Sequence, residues 1–170
     1  MEGIKSLTGI YYLGIGCGLW NKVEVIEWCD KLIEVSDNPP IELLEVSMMS
    51  KSKINDLERK LFELCRVDNE EHYVKLLLSI ILEKLHQEQL SLERAIRITS
   101  RLLVLTGLAW ESEFYYLYSF DDSYDLAIDG IQFQLTEVQR DFIKELWVYK
   151  EYISEFKEMY YKVIKQEWIK

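Results

Sequence analysis

The sequence predicts an all-α fold, and three observations carry that expectation. Apolar residues recur at three- and four-residue steps along nearly the whole chain, which is the helical period. Only 7 Gly and 2 Pro occur in 170 residues, too few for a turn-rich β architecture. Hydrophobic residues make up 49% and charged residues 29%, a composition able to fill a core and solvate its outside. At this length a single helical domain over 1–170, a bundle of seven to nine helices, is expected.

The elements follow in order. Ile4, Leu7, Tyr11, Gly14/Ile15 and Gly18 share one face of a first helix. Asn21 with Glu24 reads as a cap opening a second, with Val25, Ile26, Cys29, Leu32 and Ile33 inward. Ser36-Asp37-Asn38-Pro39-Pro40 is the strongest breaker, and Pro40 suits the first position of a short helix through Leu43, Leu44 and Val46. After a polar stretch from Ser47 to Lys53, Ile54, Leu57, Leu61 and Leu64 mark another face. Asp68 and Glu71 form a capping-box pair before Val74, Leu77, Leu78, Ile81 and Leu85. Ser91 caps a helix with Ala95, Ile98, Leu102 and Leu105 inward, interrupted or ended at Gly107.

Beyond Gly107 the pattern loosens. Trp110, Phe114 and Leu117 fit a helix, and Asp121-Asp122-Ser123 reads as a break with a new cap. Ile131-Gln132-Phe133-Gln134-Leu135 alternates like a strand that has nothing to pair with. Thr136 and Gln139, a capping-box pair, open a run through Phe142, Leu146, Ile153, Phe156, Tyr160, Val163 and Ile164. Unbroken, this long C-terminal helix would measure roughly 50 Å at about 1.5 Å per residue; a break near Lys150 is the alternative.

Motifs with chemical meaning are sparse. Gly14-x-Gly16-x-Gly18 lacks the preceding strand of a dinucleotide fingerprint and reads as close helix packing or a helix end. Glu83-x-x-His86 resembles half of a di-metal site, but His72, the only other histidine, has Asn69 three residues before it, so His86 reads as a helix C-terminus. Asp121-x-Ser123-x-Asp125 begins like a calcium loop and fails at Leu126 and Gln132, where Gly and Glu are required. Cys17, Cys29 and Cys65, with no CxxC, suit a reducing compartment. The uncharged run Ser6–Asn21 is short for a membrane span, and Glu2 offsets Lys5 where a signal peptide needs positive charge. The expectation is a cytoplasmic, non-enzymatic protein without cofactor, metal or membrane contact; an enzyme with an unrecognised carboxylate site is the third-ranked reading.

The informative feature is charge. The net value is −10, which repels a phosphate backbone and argues against nucleic acid as a partner. The imbalance sits in two segments. Residues 23–50 hold seven acids and Lys31 alone. Residues 102–139 hold seven acids and no Lys or Arg. The second segment is also rich in tyrosine, and tyrosine beside carboxylate makes a rigid contact surface for a basic partner. Glu111, Glu113, Tyr115, Tyr118, Asp121, Asp122, Asp125 and Asp129 are the candidate partner-binding residues, with 23–50 as the second surface. The bland alternative buries the rings and leaves the acids as ordinary solvated charge.

The segment Gly18-Leu19-Trp20 to Leu44, with Val25-Ile26-Glu27-Trp28-Cys29-Asp30-Lys31-Leu32-Ile33 and Pro39-Pro40-Ile41-Glu42-Leu43-Leu44, resembles a stretch of small uncharacterised helical proteins of bacteria. Some of those are similar to immunity proteins, which block a cognate toxin. The resemblance covers the first third of the chain. It implies a cytoplasmic, non-enzymatic protector and assigns no functional residue; with the acidic segments beside it, the leading expectation is an immunity role against a basic protein toxin. The second-ranked reading is a structural or regulatory module forming a homodimer through the C-terminal helix, whose charges balance over 136–170.

Overall fold

The computed structural model describes residues 2–65 and 70–165. Among them are nine α-helices: α1 Glu2–Cys17, α2 Lys22–Glu34, α3 Ile41–Ser47, α4 Ile54–Leu64, α5 Glu70–His86, α6 Leu92–Leu105, α7 Tyr115–Ile128, α8 Leu135–Trp147 and α9 Tyr152–Lys165. There is no strand among the described residues. The all-α expectation holds. The chain divides into two compact units, residues 2–65 with 154–165 and residues 70–153.

In the first unit α4 packs on α1 and on α3, and α3 packs on α2. Gly18, at φ 85°, ends α1 in the left-handed conformation that glycine adopts without a Cβ clash. The N–H of Leu19 reaches back to the Gly14 carbonyl (2.8 Å) and that of Gly18 to Ile15 (3.1 Å), the Schellman pattern. The reversal folds Trp20 over Gly14, where a Cβ would stand 2.1 Å from the indole Cε3. Tyr11 stacks between Trp20 (4.2 Å) and Trp28 (4.0 Å), so three rings form one pile in the core. The glycine triplet is thus a helix end and a close packing site, as its context suggested. The Asn21–Glu24 capping box is present: Asn21 Oδ1 accepts from the Glu24 N–H at 3.0 Å, and the Glu24 carboxylate accepts from the Asn21 N–H at 2.7 Å. Pro40 is the residue before α3 rather than its first, a shift of one position. Lys22 donates to the carbonyls of Ser50 (2.6 Å) and Ser52 (3.0 Å), tying the polar 47–53 stretch to the start of α2.

In the second unit α5 packs on α6 and α8, and α7 packs on α6 and α8. Every residue from Leu76 to Leu82 is buried, so this part of α5 has no solvent face. That explains why its sequence shows a weaker stripe than α6. Ser91 caps α6 as expected, its hydroxyl accepting from the Arg94 N–H at 3.2 Å. Asp68, the residue expected to cap α5, lies outside the described residues.

Two expectations are corrected and one open reading is resolved. The long C-terminal helix is two helices, α8 and α9, parted by a turn at 148–151, so of the two expectations the break near Lys150 holds. The Lys150 N–H bonds to Trp147 O and the Tyr152 N–H to Tyr149 O, three-residue closures that replace the helical four. The roughly 50 Å rod therefore does not form. Asp121-Asp122-Ser123 is no break, since α7 runs through it. The segment 131–135, whose alternation left a strand open, is a bend over 131–133 followed by α8, with Gln134 as the residue before the helix and its N–H donating to the Glu137 carboxylate at 3.2 Å. Thr136 and Gln139 lie inside α8, so the polar pair two residues earlier takes the capping role.

Candidate functional site

The candidate surface is α7 with the segments on either side of it. Gly107 (φ 71°) ends α6, and a 3-10 turn at Leu108–Trp110 follows. Ala109 is buried there while Trp110 is 74% exposed, because one short turn cannot bury both sides of itself. Glu111 accepts from the N–H groups of Phe114 (3.0 Å) and Tyr115 (2.9 Å) through its backbone carbonyl and so starts α7. Phe114 and Leu117 are buried, as helical spacing required. Phe114 stacks on Tyr149 at 6.1 Å and Phe120 meets Phe142 edge-on at 5.4 Å, which fixes how α7 is rotated on α8.

That rotation sorts the eight sequence-predicted residues. Tyr115 is exposed, while Tyr118 is half-buried, edge-on to Trp110 at 5.4 Å. Asp121 and Asp125 are clasped by the Arg97 guanidinium of α6, which meets one oxygen of Asp121 and both of Asp125. Hydrogen bonding from Arg97 holds the Asp125 carboxyl below its ordinary range. The same guanidinium lies 5.7 Å from the Tyr124 ring. Glu113 pairs with Lys75 of α5 at 3.2 Å and accepts from the Tyr149 hydroxyl at 3.4 Å. Burial, and then the Glu113 charge, push the Tyr149 phenol up from its ordinary value. Glu113, Asp121 and Asp125 thus serve α7's seating on its neighbours. Glu111, Asp122 and Asp129 are exposed and make no ion pair among the described residues. The expected block of eight reduces to three uncompensated carboxylates and two tyrosines.

The polarity of α7 is inverted. Carboxylates suit a helix N-terminus and cations a C-terminus, where the backbone dipole is negative. Helix α5 obeys this, with Glu70 and Glu71 in its first turn and Lys84 and His86 in its last. Helix α7 has no acid in its first turn and no base in its last, and Asp129 stands at its C-cap. Asp122, Asp125 and Asp129 follow Tyr118 at steps of four, three and four, so they line one stripe running to that end. Arg97 offsets Asp125, but at Asp129 the carboxylate adds to the negative end of the dipole.

The loop beyond this end alternates in sequence but is no strand. Gly130 (φ 66°) closes α7 with a second Schellman pattern: the Ile131 N–H reaches Leu126 O at 3.0 Å and the Gly130 N–H reaches Ala127 O at 3.2 Å. Ile131, Phe133 and Leu135 are then 71%, 48% and 41% exposed, three apolar side chains in five residues turned to solvent. Phe133 holds φ 66°, a left-handed conformation that costs a bulky residue about 1–3 kcal/mol. Trp110, Ile131 and Phe133 are the site residues that sequence reasoning did not assign. For Phe133 the available signal was its place three residues after a glycine that ends a helix.

Elsewhere the chemistry is thin. No group of three His, Cys, Asp or Glu is placed to hold a metal ion among the described residues. His86 ends α5 as expected, its ring edge-on to Trp147 at 5.7 Å. Cys17 and Cys29 are buried, and burial pushes the Cys29 thiol up to about 12, away from nucleophilic use. No helix of the described residues is long and apolar enough to cross a membrane. No protein-family model matches the chain, and no curated protein or solved structure matches it.

Proposed function

We propose that the protein is a non-enzymatic binding protein whose α7 end docks a basic protein partner, and that an immunity role against a cationic toxin is the concrete form. The observation behind this reading is the uncompensated charge of α7: Asp129 stands at the C-cap of a helix with no lysine or arginine in its last turn, and Asp122 lies two turns earlier on the same stripe. A lysine or arginine from a partner relieves that unfavourable arrangement. The exposed side chains of Ile131 and Phe133 follow directly in sequence and supply apolar contact next to the charge. Such a site combines steering by negative potential with a desolvated anchor, the pairing found where a few residues dominate affinity. Trp110 and Tyr115 extend the contact at the other end of α7, where Glu111 adds charge.

In the immunity version the carboxylates occupy cationic side chains that would otherwise hold a substrate's phosphates. The test is affinity capture from the native host, followed by binding measurements on the captured protein with the wild-type chain and with an Asp122→Lys, Asp129→Lys double variant. The reading expects a basic partner, at least tenfold weaker binding by the variant and a shallower dependence of affinity on salt. A partner without net positive charge, or unchanged affinity and salt dependence, overturns it.

A further inference from the structure

A second surface lies in the other unit, on the acidic segment 23–50. Helices α2 and α3 leave between them an open groove of about 490 Å³ lined by Asp30, Ile33, Glu34, Leu44, Ser47 and Met48. Its apolar side chains are unusually accessible: Met48 is 76% exposed and Leu44 37%. The Ser47 hydroxyl donates to Asp30 Oδ1, joining the two helices across the groove while leaving the full negative charge of Asp30 in place. Glu34 has no ion pair among the described residues. Lys31 is the only cation in residues 23–50, against seven acids.

We infer that this groove is a docking site for a basic amphipathic helix of a partner protein, its apolar stripe seated on Ile33, Leu44 and Met48 and its lysines or arginines facing Asp30 and Glu34. Two helices with an apolar furrow between them present the geometry of helix-in-groove recognition, in which residues at i, i+3, i+4 and i+7 supply the anchors. The occupant's charge follows from the rim: an acidic or neutral helix would leave two carboxylates desolvated without a counter-charge, whereas a basic helix compensates both. Methionine at the mouth suits such a role, because its unbranched thioether adapts to differing partner surfaces. A strand-like ligand has no sheet edge to extend among the described residues.

The test uses the full isotope-labelled chain and a small set of synthetic fourteen-residue helical peptides, with Leu at i, i+3, i+4 and i+7 and Lys at the remaining positions. A matched set carries Glu in place of Lys. Amide chemical shifts are followed on titration with wild type, with Met48→Lys and with Glu34→Lys, both exposed substitutions whose folding is checked by circular dichroism. The expected result is saturable shifts confined to α2 and α3 with the Lys peptides, weakened at least tenfold by either variant, and none with the Glu peptides. The Asp122→Lys, Asp129→Lys chain should bind the Lys peptides as wild type does, which separates this site from the one on α7. Absence of saturable shifts, equal binding of both peptide sets, or shifts indifferent to Met48→Lys overturns the proposal. So do shifts at α2 and α3 that grow with protein concentration alone, which would assign the groove to a second copy of the chain.

Discussion

Replacing Gly14 by alanine is expected to destabilise the protein although alanine is the better helix former. In an open helix the exchange gains up to about 1 kcal/mol. Here the new methyl carbon would stand 2.1 Å from Trp20 Cε3 and 2.3 Å from Cζ3. Ordinary carbon contact is about 3.5 Å, so the indole must retreat by roughly 1.4 Å. It has little room to do so, being 8% exposed and stacked on Tyr11, which is itself stacked on Trp28. Overpacking of this kind costs about 1–3 kcal/mol, and expelling the indole would cost about 3 kcal/mol of lost burial with about 1 kcal/mol of lost stacking. Overpacking is the cheaper route, and after the helix gain is subtracted it leaves a net loss of up to about 2 kcal/mol, or a fall in Tm of up to roughly 4–8 °C for a chain of this size. Urea and thermal melts followed by tryptophan emission measure it, with a red shift if Trp20 is displaced. An unchanged or raised Tm with unchanged emission would refute the packing argument. Gly130→Ala is the contrast: a Cβ there meets nothing within 4 Å, and only its φ of 66° resists, for about 1 kcal/mol with no change in emission.

Glu88 ends α5 at φ 58°, so Glu88→Gly should raise stability by about 1 kcal/mol in a urea melt, whereas Glu88→Val should lower it. Arg97→Ala removes the clasp that neutralises Asp121 and Asp125, one helical turn apart on α7; a loss of about 1–2 kcal/mol, smaller in high salt, is expected in melts at two ionic strengths. Burial raises Cys29 to about 12 from 9.0 and also raises Tyr11 and Tyr149. Their contribution to stability is complete below pH 9 and is lost above it, as the unfolded chain releases protons that the folded chain retains, so urea midpoints should fall between pH 9 and pH 12. At pH 8 a thiol reagent should modify Cys65, held at about 11 but partly accessible, before Cys17 or Cys29, which should react only on unfolding.

Most of the helical framework was legible because its signals are local. Asn21 with Glu24, Ser91, and the three- and four-residue steps of α4 and α6 are satisfied within a few residues of themselves. The failures came where local signals pointed to more than one structure. Asp121-Asp122-Ser123 is cap chemistry by composition, yet Arg97, twenty-four residues earlier, holds Asp121 within a continuous helix. The alternation of Ile131, Phe133 and Leu135 has the period of a strand, but with no neighbouring strand the segment becomes a bend whose apolar side chains stay in water. The run from Thr136 to Val163 keeps a helical period across a break made by the three-residue closures at Tyr149, Lys150 and Tyr152, which no Gly or Pro announces.

The candidate site was legible in charge and not in geometry. Seven acids without a base in 102–139 marked the region proposed here as the docking surface. Counting could not show that Lys75 and Arg97, cations from α5 and α6, engage Glu113, Asp121 and Asp125, because that pairing is tertiary. What remains, Glu111, Asp122 and Asp129, is smaller but better defined, since the last two lie along a stripe toward the negative end of a dipole.

Phe133 offers the most direct test of the α7 docking reading, by comparison of partner affinity for Phe133→Gly and Glu88→Gly. Both exchanges relieve a left-handed backbone and should stabilise the fold by about 1 kcal/mol. If the exposed ring is kept in that conformation to contact a partner, Phe133→Gly binds at least tenfold more weakly while Glu88→Gly binds as wild type does. A Phe133→Gly chain that is more stable and binds with wild-type affinity would contradict the assignment.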